Sequence, residues 1–126
     1  AVAKSVVYDL SRGFDSVLRD KVDPAKGILR SKALAQALES KDSVATRAIN
    51  RAAHYMGLGL TNVINFYNPA RIVMGGGLIE AVPLYLELAE EEARRRSLRI
   101  PARKTEIVKA ELGDFAGTIG AALLLV

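Results

Sequence analysis

Apolar residues recur every three or four positions through most of this chain, and alternation is confined to one short stretch after Pro101. Val6, Leu10, Phe14, Val17 and Leu18 fall on one helical face and predict a helix over 2–20, with Gly13 its weak point. Pro24 and Gly27 then interrupt the pattern, and an alanine- and leucine-rich segment from Ser31 to Glu39 predicts a short helix capped by Ser31. The longest periodic run follows. Ala45, Ile49, Ala52, Ala53, Met56, Leu60, Val63, Ile64 and Tyr67 form a single stripe, started by Asp42 or Ser43 as a cap and stopped at Asn68-Pro69. Gly57 and Gly59 inside this helix each cost about 1 kcal/mol relative to alanine, so another backbone packed closely against them is expected.

Beyond Pro69, "ARIVMG" is short, β-branched and bounded by proline and glycine, which predicts a buried strand. A helix from Val82 or Pro83 to about Ser97 tolerates its proline in the first turn. "KTEIVKAEL" alternates and predicts a second strand, and "GDFAGTIGAALLLV" predicts a final apolar helix with Asp114 as its cap. Helix, strand, helix, strand, helix is the resulting order, and a right-handed crossover makes the two strands parallel. The fold class is therefore α/β and helix-rich, with about five helices and about two parallel strands, in one domain over residues 1–126.

Composition narrows the chemistry. With 126 residues, half of them hydrophobic, the chain can bury a real core. It contains no cysteine, which excludes disulfides and thiolate metal sites and favours a reducing, cytoplasmic setting; its single histidine, His54, argues against a zinc site built from this chain. The apolar stretch from Phe115 to Val126 is shorter than the roughly 20 residues a membrane span requires, so no membrane partner is expected. The net charge of +4 and a pI near 9.6 raise the question of nucleic acid. The basic residues cluster only in "ARRRSLRIPARK", where Glu90, Glu91 and Glu92 precede Arg94, Arg95 and Arg96 at helical spacings, so pairing along a solvated helix accounts for much of the charge.

The remaining signal is the run Gly75-Gly76-Gly77 directly after the first strand. A parallel strand ending in glycines before a helix is where α/β proteins bind ligands, because main-chain amides are exposed beyond the strand's carboxyl end. Residues without a Cβ let a phosphate or nucleoside lie on the backbone. The spacing is neither G-x-G-x-x-G nor a P-loop, and a tight turn with close helix packing explains the same three residues.

The company these glycines keep is more specific. "GLGLTNVINFYNP" at 57–69, the strand and its glycines at 72–77, and "LGDFAGTIGAA" at 112–122 together resemble the C-terminal part of the ROK family of bacterial sugar kinases and sugar-responsive repressors, and the resemblance covers nearly the entire chain. It implies a partial actin/hexokinase-like, ribonuclease H-like domain, the nucleotide-side lobe of a two-lobed protein that closes around a sugar and ATP with Mg. Gly75, Gly76 and Gly77 would then line the adenosine and phosphate side of the cleft, and Gly117, Gly120, Ala121 and Ala122 would permit close helix crossing near the hinge.

Other parts of that family's pattern are missing. The D-x-G-G-T phosphate loop, the first-lobe catalytic aspartate, the Glu-x-Gly-His sugar segment and the cysteine-rich zinc motif have no counterpart in this sequence. A general base must reach the sugar hydroxyl, and no residue here inherits that role by motif, so no catalytic residue is assigned and the chain alone is expected to be inactive. His54 reads as a helix-surface or core-edge residue, and Asn62, Asn65 and Asn68 as helix-end or neighbour contacts. A glucokinase-like kinase lobe lacking its N-terminal half is the first reading, and a sugar-sensing or dimerisation module of a repressor is the alternative. In either case two strands are too few for a self-sufficient sheet, so a homo-oligomer is expected. Nucleic-acid binding through Arg94 to Lys104 ranks last, as no reading module accompanies the charge.

Overall fold

A computed structural model describes residues 2–113 and 116–123. Helix α1 (Val2–Ser11) is followed by a small hairpin, β1 (Val22–Asp23) and β2 (Ile28–Leu29), then by α2 (Ser31–Glu39) and the 25-residue α3 (Ser43–Tyr67). Strand β3 (Arg71–Met74) leads into α4 (Gly77–Ala81), α5 (Pro83–Arg96) and α6 (Arg99–Lys104), and β4 (Glu106–Lys109) precedes α7 (Ala116–Leu123). As expected, β3 and β4 pair in parallel, with Ile72 opposite Ile107 and Val73 opposite Val108. No helix among the described residues is long and apolar enough to cross a membrane.

The central packing is α3 against α5, with α1 and α2 on the flanks of α3. Val44, Ala48, Ile49 and Ile64 of α3 are fully buried, together with Val6, Leu18, Ala89 and Ala93. Gly57 permits the approach: a Cβ at this position would stand 2.6 Å from Cβ of Glu92 and 2.9 Å from the carbonyl oxygen of Ala89. The expectation of a close neighbour therefore holds at Gly57. It fails at Gly59, where nothing lies within 4 Å. The stripe is also turned slightly from the predicted one, since Thr61 is buried while Val63 and Tyr67 are exposed. Asp42 is the cap of α3, accepting from the Ala45 N–H at 2.9 Å, and Asn68 ends the helix in the left-handed region at φ 44°.

Several boundaries differ from the periodicity. The first helix stops at Ser11, well short of residue 20, because Gly13 takes φ +85° and the chain beyond it is drawn across to α3. There Asp42 receives hydrogen bonds from Ser16 Oγ and from the Val17 N–H, each 3.0 Å long. Leu18 reaches the core from this loop, whereas Val17 faces solvent and Phe14 lies beneath the Arg47 guanidinium, 3.8 Å from it. Asp23 organises the hairpin turn by accepting from the Ala25 and Lys26 N–H groups at 2.9 and 3.0 Å. Ser31 opens α2 at its first helical position, and Arg30 precedes it without a side-chain cap. Strand β3 is only half-buried, with Ile72 and Met74 toward the core and Val73 outward. The described residues hold seven helices, where about five were expected, because α4 and α6 are short inserts around Gly77 and Pro101. The cap predicted at Asp114, and residues 124–126, lie outside the described residues.

Candidate functional site

Strand β3 and its partner end side by side, and the Ala110 N–H donates to Met74 O at 2.8 Å as the last parallel contact. Beyond this point the three glycines differ in what they do. A Cβ on Gly75 would come within 3.1 Å of Ala110 Cβ, so bareness here serves the closure of the strand pair. Gly76 adopts φ 121° and ψ 156°, a backbone state that side chains of L-residues rarely occupy, and the space above it is open. Gly77 begins α4; a Cβ there would meet only Ser31 Oγ, at 3.9 Å. All three glycines are solvent-exposed.

The turn is held from below and from one side. The Glu80 N–H donates to Gly76 O at 3.1 Å, closing the first turn of α4. Lys109 Nζ, at the end of β4, lies 2.7 Å from Glu80 Oε2, which fastens the sheet to this helix. The other carboxylate oxygen, Oε1, is buried with no hydrogen-bond partner among the described residues. Contact between α2 and α4 sets the beginning of α2 beside the glycines, with Ser31 nearest to Gly77. Main-chain amides, a hydroxyl and the Glu80–Lys109 pair are the groups gathered here. Such a set can hold an anion-bearing or planar ligand against the backbone.

Sequence reasoning located the glycines but not their neighbours. Ser31 was assigned only as a cap, and the pair Glu80–Lys109 joins residues 29 positions apart, which no local spacing reveals.

His54 is placed elsewhere, on α3 facing α5. Its Nδ1 lies 2.8 Å from Glu92 Oε1, in a shallow pocket of about 260 Å³ that Asn50, Leu88, Glu91 and Arg95 also line. Glu92 in turn accepts from Arg95 and, at 2.6 Å, from Arg96 Nε. These bonds, Arg95 first, hold its carboxyl down to about 2 against the opposing effect of desolvation. This cluster is a pairing network across two helices, and it shares no lining residue with the glycine turn. Asn65 Oδ1 accepts from the Leu98 N–H at 2.9 Å and anchors the start of α6.

A sequence model of the ROK family matches residues 11–126. The chain belongs to the ROK family. The glucokinase of Halalkalibacterium halodurans is 31% identical over 99 residues, a match that takes in 79% of this chain and 30% of that protein. The xylose repressor of Bacillus subtilis is 27% identical over 79 residues, covering 63% of this chain and 21% of the repressor. A crystal structure of a ROK family glucokinase from Streptomyces griseus, in complex with glucose and AMPPNP, superposes on 98% of this chain and 39% of its own with a TM-score of 0.75 at 26% identity. The chain thus spans about a third or less of the length of the curated relatives it matches. Helix-rich α/β architecture is shared with ROK sugar kinases, and both kinases and repressors stand among the relatives.

Proposed function

We propose that this ROK chain is the nucleotide-side lobe of a glucokinase-like sugar kinase, an enzyme that phosphorylates a hexose at the expense of ATP. Gly75, Gly76 and Gly77 form its adenosine-facing turn. The observation that carries the reading is Gly76: an exposed, positive-φ glycine with open space above it, directly beyond the carboxyl end of a parallel strand. Similarity to a glucokinase crystallised with AMPPNP supports the choice of a nucleotide over other anions.

The residues present fit part of that cofactor. The backbone at Gly76 admits a nucleoside or phosphate oxygen, and Ser31 supplies a hydroxyl beside the neighbouring Gly77. No group of three or more His, Asp or Glu side chains comes together among the described residues, so no ligand to Mg is assigned here. The base, the sugar ligands and most of the charge around the transferring phosphoryl group belong to an N-terminal lobe with no counterpart in this sequence. The chain by itself binds nucleotide without turnover, in the cytoplasm, and assembles as a homo-oligomer.

Titration calorimetry with ADP at millimolar concentration tests this reading on the wild type and on Gly76→Val. Weak binding by the wild type and none by a folded variant is the expected pair of results. A folded wild type that takes up no ADP would refute the nucleotide assignment.

The match to the xylose repressor favours a second reading as the sugar-sensing or dimerisation module of a ROK repressor. Self-association without any response to ADP is the outcome that would prefer it.

A further inference from the structure

The basic cluster at the end of α5 is only partly spent on ion pairs, and the unspent part is concave. Arg94 is fixed: its Nη2 lies 2.7 Å from Glu90 Oε1, and its Nη1 donates to Ala102 O at 2.7 Å, which ties α5 to α6. Arg95 and Arg96 share Glu92. Arg99 and Arg103, one helical turn apart on α6, are exposed and pair with no carboxylate among the described residues. Together Arg94, Arg95, Arg99 and Arg103 line a pocket of about 310 Å³ with Ser97 and Ala102, and no acidic residue contributes to it. Ser97 Oγ is shielded from solvent and makes no hydrogen bond among the described residues, an unspent hydroxyl at the wall of a cationic pocket.

From this arrangement we propose a second ligand site, between α5 and α6, for a small phosphate-bearing molecule with two or more negative charges. Guanidinium groups present planar forks that match phosphate oxygens, and two of the four here are held in place by contacts already made within the protein. That preorganisation lowers the ordering cost of binding. Arg99 and Arg103 carry the charge that has no partner, and Ser97 adds a neutral donor. The small volume of this open depression and the shortness of the six-residue α6 favour a compact anion over the extended track that a nucleic acid would require. The site is separate from the glycine turn and rests on none of the residues assigned to it.

Inorganic pyrophosphate is the probe, titrated at low ionic strength into the wild type and into the double variant Arg99→Gln/Arg103→Gln. Both side chains are exposed and make no hydrogen bond among the described residues, so an unchanged circular dichroism spectrum and melting point are expected. Pyrophosphate should bind the wild type and lose about tenfold or more in affinity in the double variant. Ser97→Ala should lose a few-fold, and added salt should weaken wild-type binding. Gly76→Val, if folded, should bind pyrophosphate as the wild type does; a loss there would move the anion to the glycine turn and overturn the proposal. Equal affinity in wild type and double variant would overturn it too, as would a short DNA duplex binding more tightly than pyrophosphate at equal phosphate concentration.

Discussion

Gly57 of α3 and Glu92 of α5 are so close that a Cβ on the glycine would lie 2.6 Å from Cβ and 2.7 Å from Cγ of the glutamate. Two helices meet here with backbone against side-chain stem, and the Ala89 carbonyl at 2.9 Å leaves no direction in which an added methyl group could move. Overpacking of this kind costs about 1–3 kcal/mol, against which alanine recovers about 1 kcal/mol of helix propensity over glycine. Gly57→Ala should therefore destabilise by up to about 2 kcal/mol net. Gly59, two residues on with nothing within 4 Å, provides the contrast. Gly59→Ala should stabilise by about 0.5–1 kcal/mol. Urea unfolding of both variants checks the pair, and a shift in the same direction for both would contradict the helix contact.

Asp42 joins three elements through one carboxylate. It caps α3 through the Ala45 N–H and receives Ser16 Oγ and the Val17 N–H from the loop after α1. Burial alone would raise its pKa, but these donors prevail and hold it below the ordinary carboxylate value. Asp42→Ala should lose about 1–2 kcal/mol, as caps do, and should also loosen the loop that carries Leu18 into the core. Hydrogen exchange at Val17 and Ala45 would rise together; protection retained at Val17 would show that the loop is held by other means.

Glu92 gives the fold a pH dependence with a definite sign. Its carboxyl titrates at about 2 in the folded chain, against an ordinary value of 4.5. A group whose folded pKa is depressed contributes fully above its unfolded pKa, and that contribution drains away as pH falls through the folded one. Stability should thus decline as pH drops from 4.5 toward about 2. In Glu92→Gln, which is weaker at neutral pH, the decline over this window should be shallower. Equal slopes in wild type and variant, read from urea midpoints across the window, would place the acid sensitivity elsewhere.

The parts of this molecule that were legible in the sequence are those governed by local rules. Asp42 as cap, Asn68 as stop, the parallel pairing of β3 with β4 and the pairing of Glu90 with Arg94 all follow from spacings of a few residues or from crossover handedness. Gly57 was legible as a demand for closeness, though not the identity of Glu92 as the neighbour. What failed did so through tertiary contact. Phe14 and Val17 sit at helical spacing from Leu10, yet Asp42 and Arg47 recruit that segment into a loop. At the glycine turn, the composition announced the bare backbone, but Ser31 and the Glu80–Lys109 pair arrive from distant positions and leave no periodic trace. Val73 could not be recognised as outward-facing because a four-residue β-branched run looks the same whether one face or both are covered.

That outward face leads to a last expectation. Val73 is 61% exposed on β3, and Phe66 and Tyr67 are 88% and 77% exposed on the final turn of α3. Single apolar residues in solvent are ordinary, but parallel sheets are generally covered on both faces, and two strands alone make a weak sheet. We therefore expect the chain to self-associate with rising concentration through these residues, as the proposed oligomer requires. Sedimentation velocity should show the wild type moving from monomer toward dimer. Phe66→Ser combined with Val73→Thr should remain monomeric over the same range while its unfolding midpoint stays close to that of the wild type, since neither side chain belongs to the buried core. A wild type that stays monomeric at high concentration would count against the oligomer, and a double variant that still dimerises would move the contact to another surface.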